Sequence, residues 1–262
     1  DLLLPNETKR VIIKEFLQAY TLDYLYNHPL YSKLNFYGGT CLHVIYGLNR
    51  LSEDIDLDNS NGIDLSKLEN DLLTFYRSTI GYTEVTAKTQ IGEWGVRGTT
   101  LKFPILYALG LTSHANEPLH LKVEVSQHSQ IAIVRQTPVL LFGRSFVAAH
   151  FTLETMMAGK MLACLERNFQ KGEAATIKGR DFYDLLWFMQ QKIRPLEEKL
   201  TNDGRQPYTV RSAMELLDEK IIEMKLSDLA EDLLPLFEQR SFIEAWLEGF
   251  KENFWEYKKN YM

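Results

Sequence analysis

The sequence predicts an α+β fold, with an α/β unit over residues 1–150 and a helical unit over residues 151–262. Three observations carry this. Helical and extended patterns alternate through the first eighty residues. Three alternating apolar segments at 82–91, 96–107 and 119–127, separated by Gly, Asn and Pro, have the form of an antiparallel meander. After Phe151 the period changes, and nearly every apolar run recurs at helical spacing.

Taken in order, Val11, Ile12, Phe16, Ala19, Tyr20 and Leu22 predict a long first helix over residues 7–28. A glycine pair, Gly38-Gly39, precedes a short apolar helix over residues 40–46, which Gly47 and Asn49 should stop. Residues 54–58 read as a strand ended by Asn59-Ser60-Asn61-Gly62. Residues 64–79 read as an amphipathic helix capped by Asp64 or Ser66. Residues 133–142 and 145–147 are further extended pieces about Gly143-Arg144. Helices follow at 152–168 and 180–191, and three more over 210–257, with a polar connector at 201–207. The aromatics of 242–257 recur at helical spacing and read as core.

Composition narrows the function classes. A net charge of −6 argues against a protein that coats nucleic acid, although Lys160, Arg167, Lys171, Lys178 and Arg180 fall together and could form a local patch. No run approaches the roughly 18 apolar residues that cross a bilayer, and the first ten residues lack a signal-peptide pattern. A start at Asp1 rather than Met suggests a trimmed chain. The two cysteines, Cys41 and Cys164, read as buried free thiols in a reducing, cytoplasmic setting. The six histidines show no metal or relay spacing, and His43 reads as a satisfied core residue. Ser52 has no histidine base near it in sequence, which leaves a hydrolytic triad without support.

The chemistry concentrates in three places. On the strand at 54–58, side-chain alternation turns Asp54 and Asp56 to one side and Ile55 and Leu57 to the core. Paired carboxylates repel unless a cation lies between them, and Mg²⁺, with Mn²⁺ as the alternative, suits such a pair. The N–H groups of Gly38, Gly39 and Thr40 at a helix start would face phosphates, with Arg50 and Ser52 just ahead of the acids. The competing reading is a tight turn and a solvated acidic strand end. In Leu121-Lys122-Val123-Glu124-Val125, alternation sets Lys122 and Glu124 on one face. Glu124 would complete a carboxylate trio for two-metal phosphoryl transfer if this strand neighbours the first, and otherwise belongs to an exposed Lys/Glu face. Lys160 sits among Met156, Met157, Met161, Ala163 and Cys164. With Arg180, Asp181 and Asp184 it either reaches a phosphate or joins a salt-bridge network between two helices.

Together Gly38-Gly39-Thr40, Arg50-x-Ser52-x-Asp54-Ile55-Asp56-Leu57, Lys122-x-Glu124, the Lys160 helix and Arg180-Asp181-x-x-Asp184-Leu185 resemble the AbiEii/AbiGii toxin family of nucleotidyltransferases. That family lies in the DNA polymerase β-like superfamily and includes toxins of type IV toxin–antitoxin and abortive-infection systems. The resemblance runs from about Tyr37 to about Leu186. It implies a mixed sheet with flanking helices and a helical domain that completes the NTP cleft. It implies Asp54, Asp56 and Glu124 as metal ligands, and Gly38, Gly39, Thr40, Arg50 and Ser52 near the nucleotide. Lys160 would bind the triphosphate and Asp181 would match the acid the family carries after that lysine, with Arg180 and Asp184 in the same motif. The acceptor implied is the 3′ end of tRNA, with a protein or a small molecule as alternatives, and a cognate antitoxin is the implied partner. No membrane association is expected. A degenerate nucleotide-binding module is the reading from outside the enzyme class.

Overall fold

The computed structural model describes residues 4–92, 95–167, 169–171 and 174–262. They fall into two compact units, residues 1–129 with 134–150, and residues 130–133 with 151–262.

In the first unit, helix α1 (Asn6–Asn27) is followed by strand β1 (Asn35–Tyr37), helix α2 (Gly38–Tyr46) and strand β2 (Ile55–Asp58). Helix α3 (Leu68–Thr74) runs into a π turn at Phe75–Thr79. Strands β3 (Thr86–Ile91), β4 (Arg97–Phe103), β5 (Leu119–Ser126), β6 (Val134–Leu141) and β7 (Arg144–Phe151) then complete the sheet. Among the described residues it has seven strands in the order β3-β4-β5-β2-β1-β7-β6. Pairing is mixed: β3·β4, β4·β5 and β1·β2 are antiparallel, while β2·β5 and β1·β7 are parallel.

Local chemistry accounts for most boundaries. Gly47, in the left-handed conformation at φ +73°, closes α2 with its N–H on the His43 carbonyl. Pro104 follows β4 directly, and the expected strand at 96–107 accordingly ends at Phe103. Pro138 lies within β6, where an edge strand tolerates the missing donor. The β6–β7 turn is Phe142-Gly143, both at positive φ, rather than Gly143-Arg144, and β7 is longer than the 145–147 expected.

One expectation fails for an identifiable reason, and another holds with a shift in position. The helix expected at 64–79 begins only at Leu68, because Asp64 accepts hydrogen bonds from the N–H and hydroxyl of Ser66 and closes a local turn instead of a cap. His43 is only half buried. Its Nδ1 meets the Leu48 carbonyl and its Nε2 meets Glu15, both at 2.7 Å, so it is satisfied at the rim of the core.

The second unit contains α4 (Leu153–Glu166), the hairpin strands β8 (Phe169–Lys171) and β9 (Ala174–Thr176), α5 (Gly179–Gln190), α6 (Glu197–Asn202), α7 (Val210–Glu223), α8 (Leu226–Leu233), α9 (Arg240–Glu248) and α10 (Phe250–Lys258). Thr152 caps α4 by accepting from the Thr155 N–H. The helix expected at 152–168 ends at Glu166, and residue 168 lies outside the described residues. Three helices were expected over 210–257, and the described residues form four. Phe250 and Phe254 are core as anticipated, whereas Phe242 and Trp255 are about two-fifths exposed, at 41% and 39%.

Residues 130–133 are stitched into this unit. The Ile133 N–H donates to Thr155 Oγ1 at 3.0 Å, and its carbonyl accepts from the Thr152 N–H at 2.9 Å. The Ile131 N–H donates to Asp203 at 3.0 Å, and the buried Lys199 ammonium bridges Gln130 and Asp203 at 3.0 and 2.6 Å. Both cysteines are buried free thiols, and burial pushes each thiol well above its ordinary pKa. Among the described residues no helix is long and apolar enough to cross a membrane.

Helix α5 starts against the backbone of α8. A Cβ on Gly179 would lie 2.5 Å from the Leu229 carbonyl oxygen and 2.9 Å from its Cα. Gly179→Ala should therefore lower the stability of the chain by about 1–3 kcal/mol, the usual range for overpacking, read as a lower thermal or urea midpoint.

Candidate functional site

Asp56 occupies the centre of a three-strand register. It pairs with Tyr37 on one side and with Glu124 on the other. Ile55, Leu57, Val123 and Val125 are fully buried, which fixes the face on which Asp56, Lys122 and Glu124 stand. The predicted neighbouring of the two carboxylate strands is therefore real. Asp58, on the same face of β2, is buried and used locally: it accepts from the Asn35 side chain and the Ser60 N–H, each at 3.1 Å.

The chain leaves β1 into α2 directly beside Asp56. Gly38, at φ +79°, has no Cβ, and one placed there would fall 2.1 Å from Asp56 Oδ2. Gly39 is equally constrained: its Cβ would lie 2.7 Å from an Arg50 Nη and 2.8 Å from Ser52 Oγ. Arg50 is buried with Nη1 on the Leu51 carbonyl at 2.9 Å, and Ser52 is buried as well. These two residues brace the glycine turn. The buried Thr40 hydroxyl donates to the Asp54 carbonyl, which ties the first turn of α2 to the start of β2.

Helix α1 steadies the same loop. Gln18 Nε2 donates to the Ser52 carbonyl at 2.9 Å, and Lys14 pairs with Glu53 at 3.0 Å. The sequence reading missed Gln18. Its signal was a polar residue repeating with Thr21 on the apolar face of α1, and both are buried.

Lys122 forms an ion pair with Glu124 along β5. Burial lowers its proton affinity, but hydrogen bonding and charge from Glu124, with the charges of Asp54 and Asp56, outweigh that and raise it. Among the described residues no group of three or more His, Cys, Asp or Glu is gathered closely enough to hold a metal ion. The acids available are nevertheless all hard oxygen donors, the kind that Mg²⁺ and Mn²⁺ take. The Asp56 carboxylate lies close against the backbone of Gly38.

In the second unit, α4 and α5 bring together the second set. Lys160 Nζ lies 2.7 Å from Asp181 Oδ1 and 2.8 Å from Asp184 Oδ2, and Arg167 donates to Asp181 Oδ2 at 2.8 Å. Burial alone would raise the Asp181 carboxyl. The charges of Lys160 and Arg167, the Lys160 hydrogen bond and the nearby charge of Lys178 hold it down at about 2. Lys178 is lowered as well, by burial and by the charges of Arg167 and Arg180. The backbone N–H of Arg180 donates to Asp232 at 2.9 Å and its Nε lies 3.5 Å from the same carboxylate, so Arg180 is drawn toward α8. The side chain of Lys171 lies outside the described residues. The helix-to-helix ion-pair network foreseen as one option exists, with the Lys160 side chain keeping 15% exposure.

The family model "Nucleotidyl transferase AbiEii toxin, Type IV TA system" matches residues 21–258. The chain belongs to this AbiEii family. It is a nucleotidyltransferase of a toxin–antitoxin type, and membership implies an NTP substrate and an antitoxin counterpart. Among solved structures, "Crystal structure of putative nucleotidyltransferase from H. pylori" is similar at a TM-score of 0.54 and 18% identity, covering 95% of each chain. That likeness supports the fold. No curated protein matches the sequence.

Two outcomes test the geometry. Gly38→Ala should displace the Asp56 carboxylate and add the cost of a side chain at positive φ, about 1–2 kcal/mol, with transfer lost well before the fold is. Denaturant titration and an activity assay on the same sample separate the two. Asp181→Asn should destabilise the chain by about 3 kcal/mol at pH 7, because it leaves Lys160 and Arg167 facing an uncharged group. The stabilisation from a depressed carboxyl is complete above its ordinary 3.8 and fades as pH falls toward about 2. The gap between the two proteins should therefore narrow below pH 4 in unfolding curves.

Proposed function

We propose that this family member transfers a nucleotide from an NTP to the 3′ end of tRNA in a Mg²⁺-dependent reaction. The observation that carries the reading is Asp56 in register with Glu124 and packed against the backbone of the Gly38 turn. Asp54 and Asp56, with Glu124 as the third carboxylate, would hold the ion. When bound, Mg²⁺ or Mn²⁺ neutralises triphosphate charge and lowers the pKa of an attacking hydroxyl.

The remaining work belongs to the chain. The N–H groups of Gly39 and Thr40, at the positive end of α2, suit phosphate oxygens. In the second unit, Lys160 presents a cation suited to phosphate, held in place by Asp181 and Asp184. An acceptor oxygen attacks the α-phosphorus, the new P–O bond forms as the bond to the bridging α–β oxygen breaks, pyrophosphate leaves and the hydroxyl proton passes to water. Positioning and charge neutralisation supply most of the rate in such a reaction. Arg50 and Ser52, though buried, serve the nucleotide by keeping Gly39 close. The cationic set Lys160, Arg167, Lys178 and Arg180 offers a net acidic chain a local surface for RNA phosphates.

The test supplies labelled NTPs, one at a time with Mg²⁺, and total tRNA, total protein and a metabolite pool as separate acceptors. Label on tRNA supports the reading; label only on protein or metabolites replaces the acceptor. Asp56→Ala should reduce transfer by more than about 100-fold, beyond the usual cost of losing an outer-shell partner, with the melting temperature unchanged or raised as carboxylate repulsion is relieved. A normally folded, fully active Asp56→Ala protein would overturn the proposal.

A further inference from the structure

The sheet face that carries Asp56 continues past Glu124 to the edge strand β3, in rows fixed by register. Asp56, Glu124 and Gly98 stand side by side in the first row. Lys122, Thr100 and Lys88 form the next, and His120 and Lys102 share the one beyond. Successive rows lie about 6.6 Å apart, two residues along a strand. The opposite face buries Leu101, Phe103, Leu121 and Val123, whereas this one is half-buried at Lys122, Thr100 and Lys102 and exposed at Lys88 and His120. A Cβ on Gly98 would lie 3.3 Å from Lys122 Cε, so the Lys122 stem passes low over β4 beside Glu124.

An antiparallel sheet can keep one polar face in water without further purpose. Sign and placement distinguish this one. On β3, β4 and β5 the two outer rows carry three lysines and no acid, in a chain of net charge −6. Lys122 is engaged by Glu124, but Lys88 and Lys102 take no ion-pair partner among the described residues. Burial and the charges of Lys102 and Lys14 depress the His120 imidazole, the response of a group in a positive field. We propose that this face seats the acceptor, with phosphates of an RNA strand on Lys88 and Lys102 and its 3′ end led toward Asp56 and Glu124. Uncompensated ammonium groups suit a polyanion. The glycine turn lies on the β1 side of Asp56 and these rows on its β5 side. Triphosphate and acceptor therefore approach the acid from opposite sides, as in-line displacement requires. Lys88 and Lys102 bind the acceptor and touch no reacting atom. The proposal rests on the tRNA reading above and names the surface that serves it.

Fluorescence anisotropy of a 5′-labelled oligoribonucleotide, titrated with the full chain over a salt series and without NTP, reads binding apart from turnover. The unmodified chain should bind it, with the logarithm of affinity falling linearly against the logarithm of salt. Lys88→Gln and Lys102→Gln should each flatten that slope by about 0.7, the contribution of one phosphate contact on a single strand, and together by about 1.4. The double arginine variant, Lys88→Arg with Lys102→Arg, keeps the charge and should keep the slope. Circular dichroism and melting should match the unmodified chain in all of them. An unchanged slope in the double glutamine variant, or no RNA bound by the unmodified chain, overturns the proposal. Labelled polyglutamate bound in place of RNA assigns the face to an acidic protein and overturns it too. The transfer assay above decides the underlying reading separately: label on tRNA leaves that reading standing when this surface fails, and label absent from tRNA ends both.

Discussion

The carboxylate of Asp56 and the backbone of Gly38 occupy space that one methyl group would fill. Much of the first unit can be understood as what holds that contact. Strand β2 lies between β1 and β5, so the position of Asp56 is set from both sides by ladder hydrogen bonds. The Thr40 hydroxyl on the Asp54 carbonyl, Arg50 and Ser52 against Gly39, and Gln18 on the Ser52 carbonyl fix the turn and the loop that feed it. The Asp56 carboxylate thus stands beside the start of α2, where the helix dipole favours anions.

The second unit solves a different problem. Lys160 must keep a cation near the surface within an otherwise apolar helix. Two carboxylates on α5, one turn apart, do this from the next helix, and Arg167 shares one of them. Because Asp181 is held ionised, the arrangement remains intact through the physiological range. The network ties α4 to α5 and fixes the position of the Lys160 ammonium.

Much of this was legible in the sequence where a local rule decides the outcome. Period-2 alternation placed Ile55, Leu57, Val123 and Val125 inside, and Gly47 ended α2 where expected. Tertiary facts were not legible. Nothing in Asp64-Leu65-Ser66 distinguishes a helix cap from a closed Asx turn until the backbone direction is known. The exposure of Phe242 and Trp255 depends on which helices neighbour α9 and α10, since spacing gives a face but not its partner. Within the candidate site, the motif residues were visible as types, but the supports were not. Gln18 and Gly98 act across more than twenty residues of chain, and Gly179 matters only because α8 returns to it.

The short segment at residues 130–133 has a consequence for how the chain can be divided. Its hydrogen bonds belong with the helices, although β6 and β7, which follow it, belong with the sheet. The polypeptide thus passes from one unit to the other three times, and neither unit is a single uninterrupted stretch. Swapping the two as cassettes at the boundary after residue 150 would leave behind Gln130, an acceptor for the buried Lys199 ammonium, and Ile133, a partner of the α4 cap. A cut after residue 150 would therefore separate hydrogen-bond partners that belong to one unit, and exchanging the two parts intact would require carrying residues 130–133 with the helices.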